Sequence, residues 1–281
     1  MSEVVRISQL SFSYNDGVSI HYGGKDFIVN RGEKVAILGP IGSGKSTLLQ
    51  HILGLLKSDA GTIEVFGHDP AKESAQIRQR IGTLLQNVDQ QIIAPTVWDD
   101  ICFSPRNYGM DSSETEKRVN YLMEWLDIKH LKNKVPHYLS GGERTKVGIA
   151  GALAHKPELL ILDEPFEGLD PVCRQDLISL LNEINENEKT SIILSTHNIN
   201  VVPLIAEIVY IIAEGGEIIA KGSPEEIFTK VDMLRSCHIE PPVLSALFHE
   251  LKNNGIDLDH SFNIKEAASI IAKSKLNLKE K

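Results

Sequence analysis

Short apolar runs alternate along the chain with stretches whose apolar positions recur at helical spacing. That pattern predicts an α/β protein with a largely parallel sheet. Strands are expected at 34–38 (KVAIL), 62–66 (TIEVF), 80–85 (RIGTLL), 158–162 (ELLIL), 191–195 (SIILS), 208–212 (IVYII) and 217–220 (EIIA). The opening segment VVRISQLSFSY alternates apolar and polar positions, so it is expected to pair antiparallel at one edge.

Between 110 and 155 the strand pattern stops. SSETEKRVNYLMEWLDI places Val119, Leu122, Met123 and Leu126 at helical spacing behind an expected capping box of Ser113 and Glu116. A helical subdomain, about 87–155, is therefore expected inside a sheet domain spanning 1–230. Beyond it, PPVLSALFHELKNNG reads as a helix opened by proline and closed by glycine, with Val243, Leu244, Leu247 and Leu251 on one face. NIKEAASIIAKSKL reads as another, capped by Asn263 with Glu266 three residues later. Residues 231–281 are thus expected to form a C-terminal helical extension. The chain shows no internal repeat and no low-complexity segment.

With 281 residues, 42% of them hydrophobic, the chain can build one large domain or a domain with an appendage. A net charge of -9 argues against wholesale nucleic-acid binding, which needs a concentrated basic footprint, but not against binding a nucleotide. Cys102, Cys173 and Cys237 are widely spaced and form no CxxC, which suits reduced thiols rather than a disulfide frame or zinc site. MSEVVRISQL has no apolar h-region, so no signal peptide is expected. The most apolar tract, VVPLIAEIVYIIA (201–213), is too short to cross a bilayer and contains Glu207.

The run KVAIL leads directly into GPIGSGKST (39–47), ahead of the helical pattern STLLQHILGLL. This is G-x-x-x-x-G-K-[ST] in the strand–loop–helix setting it requires. In the loop Gly39, Pro40, Ile41, Gly42, Ser43 and Gly44, the glycines let backbone N–H groups turn inward around phosphates. The helix N-terminus adds its partial positive charge. Lys45 is expected to reach the β- and γ-phosphates of ATP, the Ser46 hydroxyl to hold Mg²⁺, and Thr47 to hydrogen-bond near the α-phosphate.

LLILDEP (159–165) ends a buried run in two carboxylates, which is costly unless a cation or a reaction uses them. Successive side chains point to opposite sides, so the two acids can have different tasks. Asp163 is expected to orient Mg²⁺ through its water shell, and Glu164 to polarise the water that attacks the γ-phosphate. His197 follows SIILST at the strand end where ligands of open α/β sheets collect, and it is expected to sense the γ-phosphate. LSGGE (139–143) opens a second glycine turn into a helix, with Ser140, Gly141 and Gly142 resembling an anion cradle. One chain then carries halves of two phosphate sites, which become complete when two copies face each other head to tail.

GPIGSGKST, LSGGE, LLILDEP, EGLD (167–170) and STHN (195–198), in this order and spacing, resemble the ATP-binding subunits of ABC transporters over about residues 3–228. The resemblance implies a P-loop NTPase fold with an antiparallel β edge and an inserted helical subdomain, two chains in a dimer, and ATP hydrolysis that drives transport. It also implies that Tyr14 stacks on adenine and that Asp170 couples the two sites across the dimer. Gln86 resembles the glutamine that reaches Mg²⁺ and the attacking water. Departures are Glu143, where glutamine is commoner, and Gly168, where alanine is commoner.

Within that family, QNVDQQIIAPTVWDDICFSPRNYGM (86–110) resembles the segment found in ATPases of energy-coupling-factor importers, with Val88 where proline is usual. The C-terminal piece HIEPPVLSALFHELKNNG resembles the dimerising tail of that group. This implies a peripheral protein at the cytoplasmic face of the cell membrane that serves a cobalt, nickel or vitamin importer. The implied partners are a second ATP-binding subunit, identical or related, an integral membrane coupling subunit and a substrate-binding membrane subunit. Ile92, Ile93 and Trp98 are expected to form an exposed apolar groove for the coupling subunit. The rivals are the ATPase of another ABC transporter class, a soluble ABC ATPase acting on ribosomes or DNA, and a non-hydrolysing regulatory module. The single cassette and acidic balance disfavour the soluble ATPase; the intact Glu164 and His197 disfavour the regulatory module.

Overall fold

A computed structural model describes residues 2–278 of the chain. Two sheets organise it. In the first, the long strand β1 (Glu3–Ser13) pairs antiparallel with β2 (Ser19–Tyr22), β3 (Phe27–Asn30) and β5 (Ala60–Val65). The β1 alternation slips at Gln9, which adopts φ 49, so that Ile7 and Leu10 both reach the core although they are three apart. Gly61 (φ 85) makes this possible, because a Cβ there would meet the Gln9 carbonyl oxygen at 2.2 Å. The short strands β2 and β3 were not foreseen in the alternation pattern.

The second sheet contains β4 (Lys34–Leu38), β6 (Ile81–Leu84), β7 (Leu159–Asp163), β8 (Ser191–Ser195), β9 (Ile208–Ile212) and β10 (Ile218–Gly222). Their spatial order is β10-β9-β4-β8-β7-β6, parallel throughout except for β10 against β9. The α/β class with a mostly parallel core sheet and an antiparallel β edge is therefore observed. These strands are apolar on consecutive positions because both faces are covered. Ala36, Leu38, Leu160, Leu162, Ile192 and Leu194 enter one apolar cluster; Val35, Ile37, Leu159, Ile161 and Ile193 enter another.

The helices are α1 (Lys45–Ile52), α2 (Ser74–Ile77), α3 (Val97–Ile101), α4 (Phe103–Asn107), α5 (Ser112–Trp125), α6 (Gly141–Leu153), α7 (Pro171–Glu188), α8 (Pro224–Phe228), α9 (Val231–Ser236), α10 (Val243–Asn253) and α11 (Ile264–Leu278). No strand lies between 110 and 155. The start of α5 differs from the expected capping box. Asp111, not Ser113, is the cap, and its carboxylate accepts from the Ser113 and Glu114 N–H groups. A carboxylate placed two residues earlier reaches the free amides of the first turn, which displaces the Ser113 frame. The expected apolar residues Val119, Leu122 and Met123 are fully buried.

At the C-terminal end, Asn263 caps α11 by accepting from the Lys265 and Glu266 N–H groups at 2.9 and 3.2 Å. The last three residues of the expected extension lie outside the described residues. The apolar face expected of α10 is not what that helix buries. Ser245 and Phe248 are buried, whereas Val243 and Leu247 are 68% and 41% exposed. Phe248 stacks near His260, whose Nε2 bonds Ser245 Oγ at 3.1 Å, so a polar pair and an aromatic ring set the docked face. Among the described residues, no helix is long and apolar enough to cross a membrane.

Candidate functional site

Strand order creates the site. β4 lies beside β8, and β8 beside β7, so the ends of these strands carry Gly39, Ser195 and Asp163 to one edge. The glycine loop after β4 turns through Gly42 (φ 81) and Gly44 (φ 95) into α1. Tyr22 donates from its buried hydroxyl to the Gly44 carbonyl at 2.7 Å, which ties the loop to the antiparallel sheet. A Cβ at Gly39 would lie 2.3 Å from the Ile212 carbonyl oxygen and 2.6 Å from Ser43 Oγ, so only glycine lets the loop fold this tightly.

Lys45 bridges the loop, donating from Nζ to the Gly39 and Pro40 carbonyls at 2.9 and 3.0 Å. Burial pushes its ammonium below the usual lysine range, and the nearby carboxylates of Glu164 and Asp163 pull it partly back. Ser43 is fully buried, and its Oγ has no hydrogen-bond partner. A buried hydroxyl without a partner, beside a lysine taken partly out of water, fits a phosphate ligand, which supplies acceptor oxygens to both. Thr47 is nearly buried and its hydroxyl is bonded to Tyr14 OH at 2.7 Å, so Tyr14 lies over the start of α1. Ile41 is 98% exposed at the loop tip.

A cavity of about 580 Å³ next to this loop is lined by Gly39, Pro40, Lys45, Gln86, Glu164 and His197, among others. Glu164 adopts φ 53, rare for a residue with a side chain, directly after the β7 strand ends. Its Oε2 accepts the His197 backbone N–H at 3.1 Å and lies 2.9 Å from His197 Nδ1. The Glu164 side chain is 11% exposed and that of His197 68%, so the acid is held from behind while the imidazole faces out. Asp163 is buried and accepts a hydrogen bond from Ser195 Oγ. The oxygen donors Ser46, Asp163 and Gln86 suit a hard cation such as Mg²⁺. With one carboxylate among the three, a triphosphate must supply the remaining charge, and no group of three or more acids, histidines or cysteines forms a metal site among the described residues.

The LSGGE turn caps α6. Ser140 Oγ accepts the Glu143 N–H at 3.4 Å, while the Glu143 carboxylate accepts from the Ser140 N–H and hydroxyl at 2.7 and 2.9 Å. Those donors hold Glu143 below its usual carboxylate range. Gly141 shares a second cavity, of about 190 Å³, with Gln86, Asp163 and Glu164. Gly142 would accommodate a Cβ without close contact. Asp170 caps α7, accepting from Val172 and Cys173 N–H at 2.8 and 2.9 Å, and these amides lower its pKa. Gly168 has φ 71, a conformation that alanine rarely adopts.

The polar residues of 86–100 serve mostly as ties. Gln91 accepts from Leu85 N–H at 2.7 Å and donates to the Thr83 carbonyl at 3.0 Å, which folds the loop back onto β6. Asp100 accepts from the Ile93 and Ala94 N–H groups, and Asp89 pairs with Arg144 at 3.0 Å. The expected apolar groove is only partly open. Ile93 is 66% exposed, but Ile92 and Trp98 pack against the core, with Lys132 over the Trp98 ring. Burying an indole recovers more than exposing it, so Trp98 turns inward. Glu167 and Thr196, inside the EGLD and STHN motifs, also line the larger cavity, as do His238, Ile239 and Glu240, to which no sequence motif points. His238 adopts φ 57 in the loop after α9, and only the fold brings that loop here.

The family model described as ABC transporter matches residues 23–167. The chain is 39% identical over 267 residues to the energy-coupling factor transporter ATP-binding protein EcfA of Methanocaldococcus jannaschii, covering 94% of this chain and 95% of that protein. It resembles the structure of cbiO1 from Clostridium perfringens, described as part of the ABC transporter complex cbiONQ, with TM-score 0.73 and 34% identity over 89% of this chain and 100% of that one. It also resembles a dimeric post-hydrolysis state of the ATP-binding cassette MJ0796 bound to ADP and Pi, with TM-score 0.70 and 27% identity, covering 78% and 98% of the two chains.

Proposed function

We propose, from the premise that this chain belongs to the ABC transporter family of ATPases and couples ATP hydrolysis to transport, that it is the ATP-binding and hydrolysing subunit of an energy-coupling-factor importer. Its cargo would be a transition-metal ion, cobalt or nickel, or a vitamin. The observation that carries the enzymatic part is the single cavity shared by Lys45, Gln86, Glu164 and His197. The importer type is supported by the match to EcfA, which covers 94% of this chain and so reaches into the C-terminal extension.

In this reading the 39–44 loop and Lys45 bind the phosphates of ATP, with Thr47 near the α-phosphate and Tyr14 against the adenine. Ser46, Asp163 and Gln86 would hold Mg²⁺, which when bound neutralises charge on the phosphate oxygens. Glu164, turned toward the cavity by its left-handed backbone, orients and deprotonates the attacking water. His197, anchored on Glu164, contacts the γ-phosphate. A second chain, identical or related, supplies Ser140, Gly141 and Gly142 across the dimer, with Asp170 beside them. Nucleotide binding closes that dimer and hydrolysis reopens it.

Residues 1–230 form the ATP-binding domain, with the helical subdomain at about 87–155, and 231–281 form the dimerising tail. Val243, Leu247 and Ile264, all exposed, offer that tail its apolar contacts. The coupling subunit of the membrane docks where Ile93 and Phe103, 66% and 46% exposed, flank a cavity of about 170 Å³. A separate membrane subunit selects the cargo, and the ATPase stays peripheral on the cytoplasmic face. The test is affinity capture of the tagged chain from detergent-solubilised membranes. Recovery of a multi-span membrane protein supports the reading; recovery of ribosomes in its place refutes it.

A further inference from the structure

Asp163 and Ser195 are register partners at the ends of two parallel strands, β7 and β8. Ser195 is fully buried. Its hydroxyl donates to Asp163 Oδ1 and accepts the Glu164 backbone N–H at 3.2 Å. The Ser195 carbonyl oxygen accepts the same N–H, also at 3.2 Å. One serine therefore touches both acids that end the strand. The second acid needs that help, because Glu164 stands at φ 53, a strained conformation for a residue with a Cβ. A hydroxyl is the one small side chain able to donate to the carboxylate and accept from the amide at once.

We propose that Ser195 is a positioning residue for the paired acids. By donating to Oδ1 it fixes the rotamer of Asp163 and leaves Oδ2 free to face the cation site. By accepting the Glu164 amide it holds the left-handed turn that aims the Glu164 side chain at His197. The chain is continuous from one strand end to the next: Asp163, Ser195, Glu164, His197. Removing the hydroxyl loosens both acids without removing either. The consequence for turnover rests on the ATPase reading above, whereas the consequence for the fold does not.

The test has two arms. In the absence of nucleotide and Mg²⁺, a double-mutant cycle of Ser195→Ala and Asp163→Ala is followed by urea unfolding. The unfolding equilibrium constants should depart from additivity by about tenfold or more, as for a hydrogen bond to a charged group. Additive effects would overturn the proposal, and this arm holds even for a chain that hydrolyses nothing. In the second arm, Ser195→Ala should lower kcat about tenfold and raise the Mg²⁺ concentration for half-maximal activity, while KM for ATP moves less than twofold. Ser195→Thr, which keeps the hydroxyl, should restore most of the loss, and Ser195→Cys, a weak donor of similar size, should restore little. Equal rates for the alanine and wild-type chains, or cysteine matching wild type, would overturn the proposal.

Discussion

His51, on the helix that follows the glycine loop, should make the stability of this protein depend on pH in a way one substitution can isolate. The residue is 1% exposed. Its Nδ1 bonds the Leu56 carbonyl at 3.2 Å, and its Nε2 is buried without a partner. The Phe12 and Tyr22 rings stand edge-on to it, at 5.1 and 6.5 Å between centroids. Protonation would therefore place an unpaired N–H in an apolar pocket. Burial pushes the pKa below the ordinary 6.5, while the Leu56 carbonyl and Asp59 oppose the shift. The sign follows from proton counting: as pH falls through 6.5, the unfolded chain takes up a proton that the folded chain refuses. Stability is thus flat above about pH 7 and falls on acidification, by at most about 1.4 kcal/mol per pH unit, until the folded-state pKa is reached.

His155 and His260 are shifted in the same direction by burial, so the wild-type slope is a sum. The comparison that isolates His51 is His51→Asn, which keeps a donor for the Leu56 carbonyl and cannot titrate. Urea unfolding of both chains in half-unit steps from pH 5 to 8 gives the difference in free energy at each pH. The variant loses stability at pH 8, since a smaller side chain fills the pocket less well. The gap should then narrow toward pH 5, with a slope of up to about 1.4 kcal/mol per unit. A gap that stays constant over the whole range refutes the reasoning.

Replacing Glu164 with Gln keeps an acceptor for the His197 N–H but removes the base. Turnover should fall by about a hundredfold or more, equivalent to roughly 2.7 kcal/mol, while ATP still binds and traps a dimer on gel filtration; turnover within threefold of wild type would contradict the role given to the acid. Mixing Lys45→Ala with Ser140→Arg chains, each inactive alone, should recover partial ATPase activity through one intact composite site, and no recovery at any ratio counts against the head-to-tail dimer. Arg118 is 7% exposed and joins Glu188 and the Leu153 carbonyl, which ties α5 to α6 and α7. Arg118→Ala should cost about 3–5 kcal/mol in urea unfolding because it strands a half-buried carboxylate, and a loss below about 1 kcal/mol would show that the pair is not structural.

The features legible along the chain were those set by contiguous residues. The strand into the glycine loop, the apolar run ending in Asp163 and Glu164, and the Asn263 cap are each written in a few consecutive positions, where backbone propensity and burial act together. The strands 34–38, 191–195 and 208–212 coincide with β4, β8 and β9 for that reason. Elements whose partners lie far away were harder to read. β2 and β3 are four residues each and become strands only because β1 supplies their hydrogen bonds. Trp98 and the α10 face could not be assigned to core or surface from periodicity, since an apolar stripe does not say what covers it.

The sequence by itself determined that this chain has a phosphate loop, an acid pair at a strand end and a second glycine turn, because each is a local pattern with few other uses. Only the tertiary structure decided which of these meet. Strand order puts β8 between β4 and β7, and that adjacency turns Ser195, to which the sequence assigns no contact with either acid, into the hydroxyl that bridges Asp163 and Glu164. The same packing brings the loop at 238–240 to the wall of the cavity from more than a hundred residues' remove in the case of the glycine loop. Burial on both faces dictates that a strand will form; which neighbour it takes depends on the whole set of surfaces that must be covered at once.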